Sequence, residues 1–432
     1  MAPPPDRRSE QLFLTWTVRA LSLAPDDGFH NYCLFEYFRH RATQDVMDRA
    51  IDNLGRQQNS KLPLAALAAG EIFYVNHAQI LKFIGEMTAM LDCLSKLFAL
   101  GMLPRGVVLG TEWPKDVANH AALALWGLAV RLTNDVNLAS LRQKTCVIDI
   151  DTSLFRFGRR FFVKDVVVAA VQRTWERQGR APLINTDRDH WRFRELLERQ
   201  GWRENDRIAC VHVREAHHNQ VLGRGAEQNF RNSDIARLRP AIADLVARGY
   251  RIIRIGRPGV TPLVVGDSVL DLANSADRVE ELDVLAIGNC DLYLGSASGP
   301  YSLAAAFGKA LCITDFVPLS LPLASGRCTF VPKLWLSSAD GRLLTLSQML
   351  KPPFRYLTRE EVLEQEGVRQ IANDPGDVQA AVAETVRRFV DGNDGNPTPL
   401  QARVRQILKR HKVIPLGLIS VGFAERYDYW VR

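Results

Sequence analysis

The sequence predicts an α/β protein built on parallel sheets. Short apolar runs suited to buried strands alternate with helix-length segments, and the runs end in polar or glycine-rich turns. The 432 residues exceed what one hydrophobic core usually serves, so two domains are expected. With 47% apolar and 24% charged residues, the composition is that of an ordinary globular chain.

In chain order, residues 1–10 read as disordered, and residues 12–54 and 79–100 carry mostly helical patterns. Between them, residues 70–77 form a strand-like run that closes on Asn76 and His77. Residues 106–110 and 144–150 give two more strands, with a helix expected over 119–132. This alternation defines an N-terminal α/β domain, residues 11–195, and a long, charged, helical stretch (164–201) leads into the second unit. A second α/β domain follows over residues 196–392. Its expected strands are 208–213, 251–255, 269–271, 292–295 and 310–314. Helices are expected over 232–248, with Asn232 or Ser233 as cap and Gly249 as stop, and over 280–287 and 302–307. Residues 393–399 read as a linker, leading to a basic helix over 401–412 in a terminal segment, 393–432.

The net charge of +7 suits anionic substrates or a peripheral seat on acidic lipid, at the inner face of a membrane. The charge is dispersed rather than gathered in one run, which argues against nucleic acid as a partner. No apolar run reaches membrane-spanning length, roughly 18 residues, and the N-terminus lacks a signal-peptide pattern; a cytoplasmic protein is expected. Seven scattered cysteines without CxxC spacing indicate neither a zinc site nor a disulfide framework, so no metal or cofactor is expected.

The candidate site residues cluster at expected strand ends, where open α/β sheets bind ligands. His212 and Arg214, at the end of the 208–213 strand, offer an imidazole and a planar guanidinium fork to an anion; the bland alternative is an ion pair with Glu215. Ser296, Ala297, Ser298 and Gly299 follow another strand and open a helix, a turn that lets backbone N–H groups approach phosphate or simply starts the helix. Arg231 and Asn232 precede the helix after the His212 strand, and Arg254 and Gly256 end the next strand. Asp149 and Asp151 match superficially the start of a magnesium-dependent phosphatase of the haloacid-dehalogenase type, but no later acidic pair completes it. His217 and His218 lack a third ligand at metal spacing.

Together, Cys210-Val-His212-Val-Arg214-Glu215, Phe230-Arg231-Asn232-Ser-Asp234, Gly249 to Gly256, Asp271-Leu-Ala-Asn274, Leu292 to Gly299 and Lys309 to Pro318 resemble a bacterial glycosyltransferase family of surface-polysaccharide loci. That family is distantly similar to fucosyltransferases of GT-B architecture, whose HxR motif binds the donor diphosphate. The likeness covers roughly residues 205–390. It departs at Glu215, where members more often carry Asp, and at Ala297, where they more often carry Thr or Ser.

The resemblance implies a GT-B fold: two Rossmann-like domains with parallel sheets facing across a cleft. It implies a nucleotide-sugar donor and a glycan, lipid-linked or other small acceptor. His212 and Arg214 would hold the donor's phosphates, Ser296–Gly299 would line the pocket, and Asp271 and Asn274 would contact the nucleotide. An inverting reaction also needs a base, for which His77 and Glu112 are the candidates. A phosphatase using Asp149, or a non-catalytic nucleotide- or glycan-binding protein, are the competing readings.

Overall fold

A computed structural model describes backbone and side chains over residues 83–101, 117–126, 167–216, 228–321 and 325–431, with a few single-residue exceptions, together with Leu81, the start of one helix and the backbone of six short strands nearer the N-terminus. The expectations for residues 1–10 and 12–54, and for Asn76, His77, Glu112, Asp151, His217 and His218, lie outside the described residues.

The chain divides into two compact units. The first comprises residues 1–79, 97–113 and 130–167, and the second residues 80–96, 114–129 and 168–432. The second unit is thus larger than the stretch 196–392 expected from sequence. The first unit holds a six-stranded sheet of β1 (Tyr74–Val75), β2 (Val108–Gly110), β3 (Arg131–Thr133), β4 (Val147–Ile150), β5 (Leu154–Phe157) and β6 (Arg160–Val163), in the order β3-β2-β1-β4-β5-β6. Its first four strands pair in parallel, while β5 and β6 add antiparallel. Two corrections apply here. Of the helix expected over 119–132, His120–Ala124 is helical among the described residues, and Arg131 and Leu132 belong to β3. The antiparallel pair β5–β6 was not anticipated, because Arg156 and Arg160 interrupt the apolar signal.

Apart from two short helices, Leu346–Met349 and Glu361–Gln365, the α-helices of the described residues are named α1 (Ile84–Ala99), α2 (His120–Ala124), α3 (Lys164–Arg177), α4 (Trp191–Arg199), α5 (Arg239–Ala247), α6 (Glu280–Asn289), α7 (Pro300–Ala306), α8 (Pro375–Thr385), α9 (Pro399–Arg410) and α10 (Val421–Arg426). Among the described residues, no helix is long and apolar enough to cross a membrane.

The second unit is built on a seven-stranded, wholly parallel sheet. Its strands are β7 (Arg207–His212), β8 (Tyr250–Arg254), β9 (Val269–Asp271), β10 (Leu292–Ser296), β11 (Ala310–Phe316), β12 (Cys328–Pro332) and, after the antiparallel pair β13 (Leu334–Ser337) and β14 (Val368–Ile371), the two-residue β15 (Leu418–Ile419). The order is β15-β12-β11-β10-β7-β8-β9. Strands β10, β11 and β12 are buried along their whole length, as expected when helices cover both faces of a parallel sheet. Winding runs outward from β7 to β8 and β9, then restarts at β10 on the other side. With right-handed crossovers this puts α5 and α7 on opposite faces. Cys210, Cys290, Cys312 and Cys328 are buried in this core as small hydrophobes, and burial pushes the Cys290 and Cys312 thiols up to about 12.

Two local expectations change. Neither Asn232 nor Ser233 caps the segment after β7. Asp234 does, its side chain accepting from the Ala236 amide of a short 3-10 turn that runs into α5. The terminal segment, expected as a linker and a helix, also adds a strand: β15 extends the sheet beside β12, and α9 is anchored by the Gln401 amide, which donates to Glu384 and to the Ile419 carbonyl. Thr398 and Gln401 form a reciprocal capping box at the start of α9.

Candidate functional site

The winding reversal falls between β7 and β10, which are hydrogen-bonded neighbours. In open α/β sheets the carboxyl edge at such a reversal is a crevice, because the flanking connections leave in opposite directions. The ends of these two strands carry His212 with Arg214, and Ser296 to Gly299. The two segments expected to bind one anion are therefore brought together at the sheet's switch point.

Their approach is close. Gly295 pairs with His212, and a Cβ at Gly295 would stand 2.3 Å from the His212 carbonyl oxygen, so only glycine fits. The ladder of β7 ends at His212, so Arg214 lies beyond the alternation that would put both side chains on one side. A specific bond fixes it instead: the Arg214 amide donates to Ser296 Oγ at 2.9 Å. Gly256, with a left-handed φ of 149°, lies against the His212 ring, and a Cβ there would be 3.8 Å from the imidazole Cδ2.

The turn after β10 is more closed than the sequence suggested. Ser296 and Ala297 are fully buried, and Gly299 abuts Gly85 in the first turn of α1. What the turn offers a ligand is main chain, not the Ser296 or Ala297 side chains. Arg231 lies on the same turn: its Nε and Nη2 both donate to the Ala297 carbonyl, at 3.1 and 2.7 Å. Burial pushes this guanidinium below its ordinary value, with Glu86 pulling the other way. Asn232 donates its side-chain amide to Asn229, and its Oδ1 is buried without a partner among the described residues.

Arg254, Asp271 and Asn274 have a different role. Arg254 is 1% exposed and sits between two carboxylates, Glu215 at 2.6 Å and Asp271 at 3.3 Å. Glu215 thus pairs with Arg254 rather than with its neighbour Arg214. Asp271 also accepts from the Leu263 amide and from Asn274, while Asn274 binds the main chain at Gly259 and Val260. These three residues hold the loop after β8 in shape, and their polar groups face the protein. Arg278 and Asp283 support the same loop: Arg278 donates to the Gly256 carbonyl and pairs with Asp283 at 2.8 Å. Burial outweighs that cation and raises the Asp283 carboxyl to about 6.

Sequence reasoning missed Lys333, Asp315 and Asn373. Lys333 is 5% exposed and donates to the carbonyls of Phe230 and Asn232 at 2.8 and 2.6 Å. Burial lowers its ammonium below the ordinary value, with Asp315 opposing. Asp315, at the end of β11, has φ +48° where the β11–β12 register shifts, an unusual conformation for a residue with a side chain. Its carboxylate accepts from Ser233 Oγ and from the Asn373 amide, both at 2.8 Å. Asp315 carried two signals, a polar residue at a strand's carboxyl end and its place in the Lys309–Pro318 motif, but neither gave its role. For Lys333 and Asn373 there was none.

Asp149 lies in β4, of which only the backbone is described. Among the described residues, no group of three His, Cys, Asp or Glu side chains is arranged to hold a metal ion.

No protein-family model matches this sequence, and no curated protein matches it. Solved structures match it in fold. ADP-heptose LPS heptosyltransferase II of E. coli aligns over 75% of this chain and 100% of its own, at 12% identity and a TM-score of 0.41. A glycosyl transferase family 9 protein from Veillonella parvula DSM 2008 aligns over 57% and 80%, at 11% identity and 0.33. The iron-containing dodecameric glycosyltransferase TibC of enterotoxigenic E. coli H10407 aligns over 57% and 60%, at 11% identity and 0.36. At this distance the likeness is one of α/β architecture and carries no function with it.

Proposed function

We propose that the protein is a glycosyltransferase of GT-B type that binds the diphosphate of a nucleotide-sugar at the carboxyl ends of β7 and β10. The observation that carries this reading is the convergence of His212, Arg214 and the Ser296–Gly299 turn on the switch point of a parallel sheet. The motif resemblance over residues 205–390 supports it. Arg214 stabilises charge on the departing diphosphate, which a guanidinium can do without a metal, and His212 assists as a donor. The acceptor, a glycan or lipid-linked molecule, is assigned to the first unit, with His77 and Glu112 as candidate bases. The reaction is placed in the cytoplasm, at the inner face of a membrane when the acceptor is lipid-linked.

The test is binding of GDP, UDP, CMP and ADP by calorimetry, followed by turnover of the matching nucleotide-sugars. One nucleotide should bind, and Arg214→Ala should lower turnover on the order of a hundredfold or more. Unchanged binding and turnover in Arg214→Ala would sink the assignment. Binding without turnover would favour a non-catalytic protein, and release of phosphate from a generic phosphoester would favour a phosphatase.

A further inference from the structure

The strand ends of β7 and β10 are clamped by a ring of hydrogen bonds that closes through a loop remote from both strands in sequence. The Arg214 amide donates to Ser296 Oγ, and the Arg214 carbonyl accepts from the Ser233 amide at 2.8 Å. Two residues before Ser233, Arg231 grips the Ala297 carbonyl with two nitrogens, next to Ser296. The 230–233 loop therefore touches both halves of the site, one through its main chain and the other through a guanidinium.

That loop is held from behind chiefly by Lys333, with Asp315 at its end. Lys333, immediately after β12, donates to the carbonyls on either side of Arg231, those of Phe230 and Asn232. Two bonds to alternate carbonyls fix the peptide planes that aim the Arg231 side chain. The base of the lysine is fixed in turn, because Asn373 donates its side-chain amide to the Pro332 carbonyl at 2.8 Å and its main-chain amide to Asp315. Asp315 accepts from Ser233, the last residue of the loop. A buried ammonium has lost most of its hydration, so its bonds to carbonyls are charge-assisted and stronger than neutral ones.

We propose that Lys333 is a positioning residue of the donor site: through the 230–233 loop it presses Arg231 onto the Ala297 turn and so sets the spacing between the ends of β7 and β10. Its functional consequence rests on the donor-site reading above. Its structural consequence does not, and the two are measured separately.

Hydrogen exchange is followed over residues 228–233 in the full-length protein, alongside calorimetric binding of GDP, UDP, CMP and ADP. Lys333→Met should speed exchange in that segment and weaken nucleotide binding about tenfold, the size expected for lost bonds to a charged donor. Because the lysine acts through Arg231, the double variant Lys333→Met/Arg231→Lys should bind no worse than Arg231→Lys alone. A lysine that merely stabilised the fold would give additive losses. Wild-type exchange over 228–233 in Lys333→Met, or additive losses in the double variant, would overturn the proposal. If Lys333→Met does not fold, Lys333→Arg replaces it: the bulkier cation displaces the loop, and the same non-additivity with Arg231→Lys is expected, additivity again counting against. If the wild type binds none of the four nucleotides but Lys333→Met still speeds exchange, the clamp stands and the donor-site reading falls.

Discussion

Gly295→Ala is the sharpest probe of the β7–β10 junction. An added methyl group would lie 2.3 Å from the His212 carbonyl oxygen and 3.0 Å from Tyr293 Cε1, whereas ordinary contacts of a Cβ begin near 3.4 Å. The nearer obstacle is backbone of the paired strand, not the flexible end of a side chain, so β7 and β10 must separate by about 1 Å. Neither can move alone: β10 is also bonded to β11, and β7 to β8. Overpacking of this kind costs about 1–3 kcal/mol, and a displacement of about 1 Å in a positioned site can cost on the order of a hundredfold in rate. Gly395→Ala is the matched control, since a Cβ there meets nothing within 4 Å. Urea unfolding and nucleotide binding should both separate the two variants, with Gly295→Ala less stable and weaker in binding. If Gly295→Ala unfolds and binds as Gly395→Ala does, the close junction of the strand ends is not what builds the site.

Two further expectations concern the loop after β8. Arg254→Met should destabilise the protein by about 3–5 kcal/mol, because it strands Glu215 and Asp271 without their shared cation; a loss under about 1 kcal/mol in urea unfolding would show that Arg254 is not the pin of that loop. Asp283 gives a pH dependence. Its carboxyl is raised from 3.8 to about 6 in the folded state, so its contribution to stability is full below pH 3.8 and disappears as pH rises through about 6. That span corresponds to about 3 kcal/mol. Wild type should therefore gain stability on Asp283→Asn between pH 7 and pH 4, and parallel unfolding profiles across that window would contradict the assignment.

Five of the seven strands of the second unit's parallel sheet were legible, because a parallel strand covered on both faces has to be an almost unbroken apolar run; β12 and the two-residue β15 were not. Residues 269–271 fell on β9 at both ends, and 310–314 lay inside the longer β11. The candidate anion residues were legible for a related reason: a cation placed straight after such a run stands at a carboxyl edge. What each cation does there was not legible. Arg214 and Arg254 both follow or end apolar strands, yet Arg254 is held by Glu215 and Asp271, 39 and 17 residues away in sequence. The cap after β7 was misassigned for the same reason, since Ser233 is taken by Asp315, 82 residues further on. Lys333 reaches back across 101 and 103 residues, and no local pattern encodes that.

The carboxyl edge of the second sheet is therefore electrically divided, and the division bears on where an anion would sit. On the β8–β9 side, Arg254 is held between two carboxylates, Glu215 and Asp271, which neutralise it within the protein. On the β7–β10 side, Glu86 acts on Arg231 and Asp315 on Lys333. The bonds from Arg231 and Lys333 to Ala297, Phe230 and Asn232 are to neutral carbonyl oxygens, which orient a cation without cancelling its charge. Fields from such groups are screened less in a buried setting than at a surface. On the donor-site reading, a diphosphate at the β7–β10 side would meet cations whose hydrogen bonds go to neutral carbonyls, whereas on the β8–β9 side it would meet one already held between two carboxylates.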